Sequence, residues 1–106
     1  MNQPATTRRQ NQRFDVNLPV AVKHGEQAIA ARALNASLGG LFIELELDQK
    51  VKLPLGARLH VRFEVVGHAV ESNAVVRWHG DRGLGVQFDG LRARDVWALE
   101  KYFKSL

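Results

Sequence analysis

Three arginines stand close together on a polar stretch, Arg8-Arg9-Gln10-Asn11-Gln12-Arg13. A guanidinium is a planar fork of donors, so it takes a phosphate, or the O6 and N7 of guanine, through two hydrogen bonds at once, a task lysine performs poorly. The spacing of Arg9 and Arg13 puts them on one face whether the stretch is extended or helical, so it does not choose between those conformations. Further along comes Asn35-Ala36-Ser37-Leu38-Gly39-Gly40. Its adjacent glycines permit positive φ and close approach of the backbone to a ligand, and its amide and hydroxyl add donors and acceptors. Each run alone has a plainer reading: a solvated basic tail for the arginines, and a hairpin turn capped by Asn and Ser for the second.

The elements that must position these runs are legible in the periodicity. Val16, Leu18, Val20 and Val22 recur at every second position, and His24-Gly25-Glu26 reads as the turn after them. Ile29, Ala31 and Ala33 give a second strand ending at Asn35. Leu41, Ile43, Leu45 and Leu47 give a third, followed by a loop at Leu53-Pro54-Leu55-Gly56. Leu59 to Val65 and Val70 to Trp78 form a hairpin around Gly67, the second strand with Val70, Ala74, Val76 and Trp78 as its expected inward set. Leu84, Val86 and Phe88 make a short last strand. Beyond Gly90 the period becomes helical, with Val96, Leu99, Phe103 and Leu106 on one stripe, Asp95 near the positive end of the helix dipole and Lys101 and Lys104 near the other. Trp97, off that stripe, is expected to pack at the barrel rim.

Six short strands at this spacing predict an all-β-dominated fold, a six-stranded antiparallel β-barrel, because closure is how so small a sheet hides its edges. A C-terminal α-helix is expected to cover one mouth. Residues 1–15 are expected to form a flexible N-terminal arm, with nothing apolar to bury until a ligand neutralises it, and residues 16–106 the barrel and helix.

At 106 residues the chain has room for one domain, and its 45% hydrophobic and 25% charged content is ordinary for a globular protein. No apolar run approaches the roughly 18 residues of a membrane span, and the start lacks the apolar centre of a secretory signal, which predicts a cytoplasmic protein without direct membrane insertion. The absence of cysteine excludes disulfides and thiolate metal sites. His24, His60, His68 and His79 lack ligand spacing, so no metal is expected. Gly83-x-Gly85 precedes a strand and lacks a third glycine, Ser37 is not in G-x-S-x-G, and no paired-carboxylate signature is present. An enzyme is therefore not expected. The net charge of +4 points to an anionic partner, but a barrel for single-stranded nucleic acid would carry several exposed aromatics along its strands, where only Phe42 and Trp78 offer themselves.

Taken together and in this order, the motifs resemble the PilZ domain, the bacterial receptor module for cyclic di-GMP. The resemblance runs through Arg13-Phe14 and Leu18-Pro19-Val20, Asn35 to Phe42, Leu55-Gly56, and Gly83-Leu84-Gly85-Val86-Gln87-Phe88. It implies Arg8, Arg9 and Arg13 on phosphates and guanine Hoogsteen edges, and Asn35, Ser37 and Gly40 on the guanine and ribose side. The family more often has aspartate at position 35. A carboxylate accepts from guanine N1–H and N2–H together, whereas an amide accepts with one oxygen, which implies weaker binding here. Arginine at position 8 resembles receptors that take two intercalated ligands, leaving one and two ligands per chain both open. Trp78 stands where relatives lay an aromatic ring against guanine, and stacking on ligand and packing in the core are both open for it. The resemblance implies a non-enzymatic receptor that changes shape on binding and signals through a protein effector. The alternative is a PilZ-like interaction module in motility or pilus machinery that binds no nucleotide.

Overall fold

The computed structural model describes residues 12–45 and 53–106. Arg8, Arg9 and most of the expected arm, together with Leu47, lie outside the described residues. Six strands follow in chain order: β1 (Phe14–His24), β2 (Gln27–Ala36), β3 (Gly40–Glu44), β4 (Arg58–Val65), β5 (His68–His79) and β6 (Gly83–Asp89), then the helix α1 (Ala93–Lys104). Neighbours pair antiparallel in the order β1-β2-β3-β6-β5-β4, and β4 pairs with β1 to close the barrel. The expected fold is the one observed.

Alternation explains the closure. Every second residue of β4, Leu59, Val61, Phe63 and Val65, is buried, and Val70, Ala74 and Val76 of β5 meet them inside. Leu41, Ile43, Leu84 and Val86 complete the interior from β3 and β6. Burying each such side chain stabilises the fold by about 1.5 to 3 kcal/mol relative to exposure. The β1–β2 hairpin turns at Gly25, whose φ of +62° is one that L-residues disfavour.

The helix lies against the β4–β5 hairpin and the start of β1. Ala98, Leu99 and Phe103 are buried, and the Phe103 ring stacks on Phe14 at 4.4 Å. Three sequence expectations are corrected here. Leu99 and Phe103 of the expected stripe are buried, but Leu106 is exposed, because α1 ends at Lys104 with Ser105 as its cap and Leu106 lies beyond it. Trp97 is exposed rather than packed at the rim, with the Lys101 ammonium 5.2 Å from its ring centre. Trp78 is 47% exposed instead of inward, because the β5–β6 register slips between Val76 and Trp78. One extra residue in β5 at that point turns Arg77 and Trp78 outward in succession, the re-aiming that a bulge produces.

Asp95 is fully buried and ties the helix down. One of its oxygens accepts from the Arg92 backbone N–H at 2.9 Å, and the other lies 3.1 Å from His68 Nε2 on β5. Burial works against its ionisation, but the Arg92 N–H, the His68 ring and the Arg92 guanidinium outweigh that and hold the carboxyl below its ordinary range.

Candidate functional site

Register brings the site residues into one cross-strand row. Asn35 on β2 faces Phe42 on β3, Phe42 faces Gly85 on β6, and Gly85 faces Trp78 on β5. Gly85 leaves a gap in the row that the Trp78 indole fills: a Cβ at Gly85 would collide with the indole nitrogen. The indole thereby reaches Phe42, with ring centres 5.2 Å apart and planes 25° from parallel. Of the two readings of Trp78, core packing is not what its exposure supports. It is a half-exposed platform braced from below by backbone and from the side by Phe42.

The Ser37–Gly40 segment closes β2 onto β3. Ser37 N–H donates to the Gly40 carbonyl at 2.9 Å, and the buried Ser37 Oγ accepts from the N–H groups of Gly39 at 3.0 Å and Gly40 at 3.2 Å. Both lone pairs of the hydroxyl are thus engaged, so what it has left to offer is its O–H as a donor. Gly40 is required for packing, since a Cβ there would run into the Val86 carbonyl of β6. The turn is therefore fixed by backbone contact with β6 and does not depend on a ligand for its shape.

Arg13, just before β1, donates from Nη1 to Asn35 Oδ1 at 2.8 Å, joining residues 22 apart in sequence. This contact connects the two motifs. It also takes one of the two lone pairs on the Asn35 amide oxygen, leaving the other and the NH2 donors. Beside this pair opens a cavity of about 210 Å³. Arg13, Ser37, Gly39 and Gly40 line it from the first two motifs. Arg77, Trp78, Gly85 and Gln87 line it from β5 and β6. Among the described residues no carboxylate lines it; Asp15, the register partner of Asn35, is not part of the lining. The site is rich in donors, positively charged and bordered by an aromatic face, which suits a phosphorylated base.

Four of the seven expected site residues, Arg13, Ser37, Gly40 and Trp78, meet at this cavity, and Asn35 is bound to one of them. Arg8 and Arg9 lie outside the described residues. Sequence reading did not assign Arg77, Gln87, Phe42 or Gly85 to the ligand site, although it marked Phe42 as an exposed aromatic. Gly85 carried a usable signal, a glycine inside a strand pattern, which marks close approach of another group.

The PilZ domain family matches residues 7–105 of this chain. Among solved structures, the Bacillus subtilis inhibitor of motility (MotI/DgrA) superposes with a TM-score of 0.77 at 23% identity, over 92% of this chain and 50% of that one. The chain thus spans about half the length of that protein. The PilZ domain of CeSA from a cellulose-synthesizing bacterium superposes with a TM-score of 0.68 at 14% identity, over 89% of this chain and 97% of that one. At these identities the likeness is one of fold. No curated protein matches the chain.

Proposed function

The chain belongs to the PilZ domain family, and from that premise we propose that it is a receptor for cyclic di-GMP. The carrying observation is the convergence of Arg13, Ser37, Gly40 and Trp78 on one donor-rich cavity, next to the Arg13–Asn35 hydrogen bond. In the proposed complex Arg8, Arg9 and Arg13 take the phosphates and guanine Hoogsteen edges. Asn35, Ser37 and Gly40 take the guanine and ribose side, and Trp78 stacks on a base. Phosphate draws Arg13 away from Asn35, because it offers the guanidinium an opposite charge and a second, parallel hydrogen bond where the amide offers one neutral oxygen. Asn35 Oδ1 is then free to accept from guanine N1–H or N2–H.

Binding is the whole of the proposed chemistry. The output is a change in the surface around Arg13 and the Ser37–Gly40 turn, read by a protein effector in motility or polysaccharide production. The protein is proposed to act in the cytoplasm; among the described residues no helix is long and apolar enough to cross a membrane.

Calorimetric titration with cyclic di-GMP at two salt concentrations tests the reading, run beside an Arg9→Ala, Arg13→Ala double variant. The expected result is saturable heat that weakens with salt and is lost in the variant, because phosphate contacts are screened. The ratio of ligands to chains distinguishes one bound molecule from an intercalated pair. Absence of heat at both salts from folded protein rejects the receptor and leaves the nucleotide-independent interaction module.

A further inference from the structure

Among the described residues, most arginines with a side-chain partner are neutralised by a carboxylate. Arg58 pairs with Asp89, Arg62 with Glu71, Arg82 with Glu44 and Arg92 with Asp95. The two described arginines that line the cavity are held differently. Arg13 donates to the amide oxygen of Asn35 at 2.8 Å, and Arg77 donates from Nε to the amide oxygen of Gln87 at 2.6 Å. An amide orients a guanidinium without cancelling its charge. Arg32 is also held by an amide, that of Asn17, but it does not line the cavity.

We propose that Arg77, braced by Gln87 and carried on the outer face of β5 beside the bulge, is a second phosphate clamp that binds the ligand jointly with Arg13. This rests on the receptor reading and extends it to residues outside the two sequence motifs. Three observations carry it. Strand alternation points Arg77 outward after buried Val76, and the register slip then turns Trp78 outward as well, so the guanidinium stands immediately beside the indole platform. Its Nε is committed to Gln87, so the terminal Nη groups remain for a bidentate contact. Two guanidinium groups around a cavity of about 210 Å³ with no carboxylate in its described lining repel each other, and an anion between them removes that repulsion. A guanine edge carries no charge and leaves the repulsion standing. Gly40 is the register partner of Gln87, so the brace stands beside the turn that supplies the other half of the site.

The test combines calorimetry with cyclic di-GMP across a salt series and nitrogen-resolved NMR of arginine Nε–H groups with inorganic pyrophosphate as a simple anion probe. Arg77→Ala is expected to weaken cyclic di-GMP binding about tenfold or more and to flatten its salt dependence, as loss of a phosphate contact does. Arg77→Lys should keep the salt dependence while losing part of the affinity, and Gln87→Ala should lose less than Arg77→Ala. Folded Arg77→Ala protein that binds with parental affinity and salt dependence overturns the proposal. So does lost affinity with unchanged salt dependence, which makes Arg77 a base contact. If the parent binds no cyclic di-GMP, the receptor reading fails, and pyrophosphate decides Arg77 separately. A saturable shift of the Arg77 Nε–H signal upholds an anion clamp; no shift rejects it.

Discussion

Two regions of this barrel each hide a polar side chain and each stack two aromatic rings, yet they differ in what they leave over. Under α1, Asp95 is fully buried, with its oxygens taken by the Arg92 N–H and guanidinium and by His68, while Phe14 lies on Phe103. On the outer wall, Ser37 is almost as buried and Phe42 stacks on Trp78, but there the Ser37 O–H, the Asn35 NH2 and the Arg77 Nη groups are left facing or bordering a cavity. Hydrogen-bonding capacity closed on itself makes a fastening. Capacity left over beside an open space makes a binding surface.

The comparison breaks most visibly at Gly40, where the outer wall depends on backbone contact. Gly40→Ala puts a Cβ into the Val86 carbonyl, which cannot move without parting β3 from β6. Chemical denaturation should show a loss of about 3 kcal/mol or more, at the upper end for single substitutions. Gly25→Ala, with nothing near its Cβ and only its φ to oppose it, should lose about 1 to 2 kcal/mol.

Asp95→Ala and Ser37→Ala sharpen the distinction. The first leaves His68 and the Arg92 N–H without their carboxylate and should reduce stability by about 1 to 3 kcal/mol while cyclic di-GMP affinity stays at the parental level. The second strands the Gly39 and Gly40 amides and should lower both stability and affinity. Equal loss of affinity in the two variants would erase the boundary between fastening and site. Trp78→Ala, removing a half-exposed ring, should weaken ligand binding by about 1 to 3 kcal/mol in a calorimetric titration, with a much smaller effect on unfolding.

The smallest effect concerns pH. The Asp95 carboxyl titrates below its ordinary 3.8, so its contribution to stability is present above that pH and is lost as pH falls through the lower folded-state value. Denaturation midpoints followed down from pH 5 should fall less steeply at the acid end in Asp95→Asn than in the parent. Parallel curves would mean that the carboxylate is not held by its neighbours.

The barrel was legible because alternation is a local signal: Leu59 to Val65 announce one buried face without reference to any other segment. The connection from Asn35 to Gly40 was legible for the same reason, its Asn, Ser and two glycines being contiguous residues of types that turns favour. What escaped depends on distant partners. The bulge at Arg77 exists only relative to β6, so Trp78 read as one more inward residue when it is a platform. Gln87 becomes a brace for Arg77 only once the strands pair, and His68 meets Asp95 across 27 residues of chain. The inward face of α1 was legible at Leu99 and Phe103, but a buried aspartate does not look apolar, so Asp95 was missed, and the stripe was carried past the end of the helix to Leu106.

The most direct test of a ligand site on the outer wall, set apart from the fastening under α1, is an amide-resolved NMR titration of the whole chain with cyclic di-GMP. Saturable shifts are expected at the backbone amides of Ser37, Gly39 and Gly40 and at the Trp78 indole N–H, with the amides of Asp95 and Val96 unmoved. Shifts confined to α1, or no shift at a concentration that saturates a control receptor, would contradict the account.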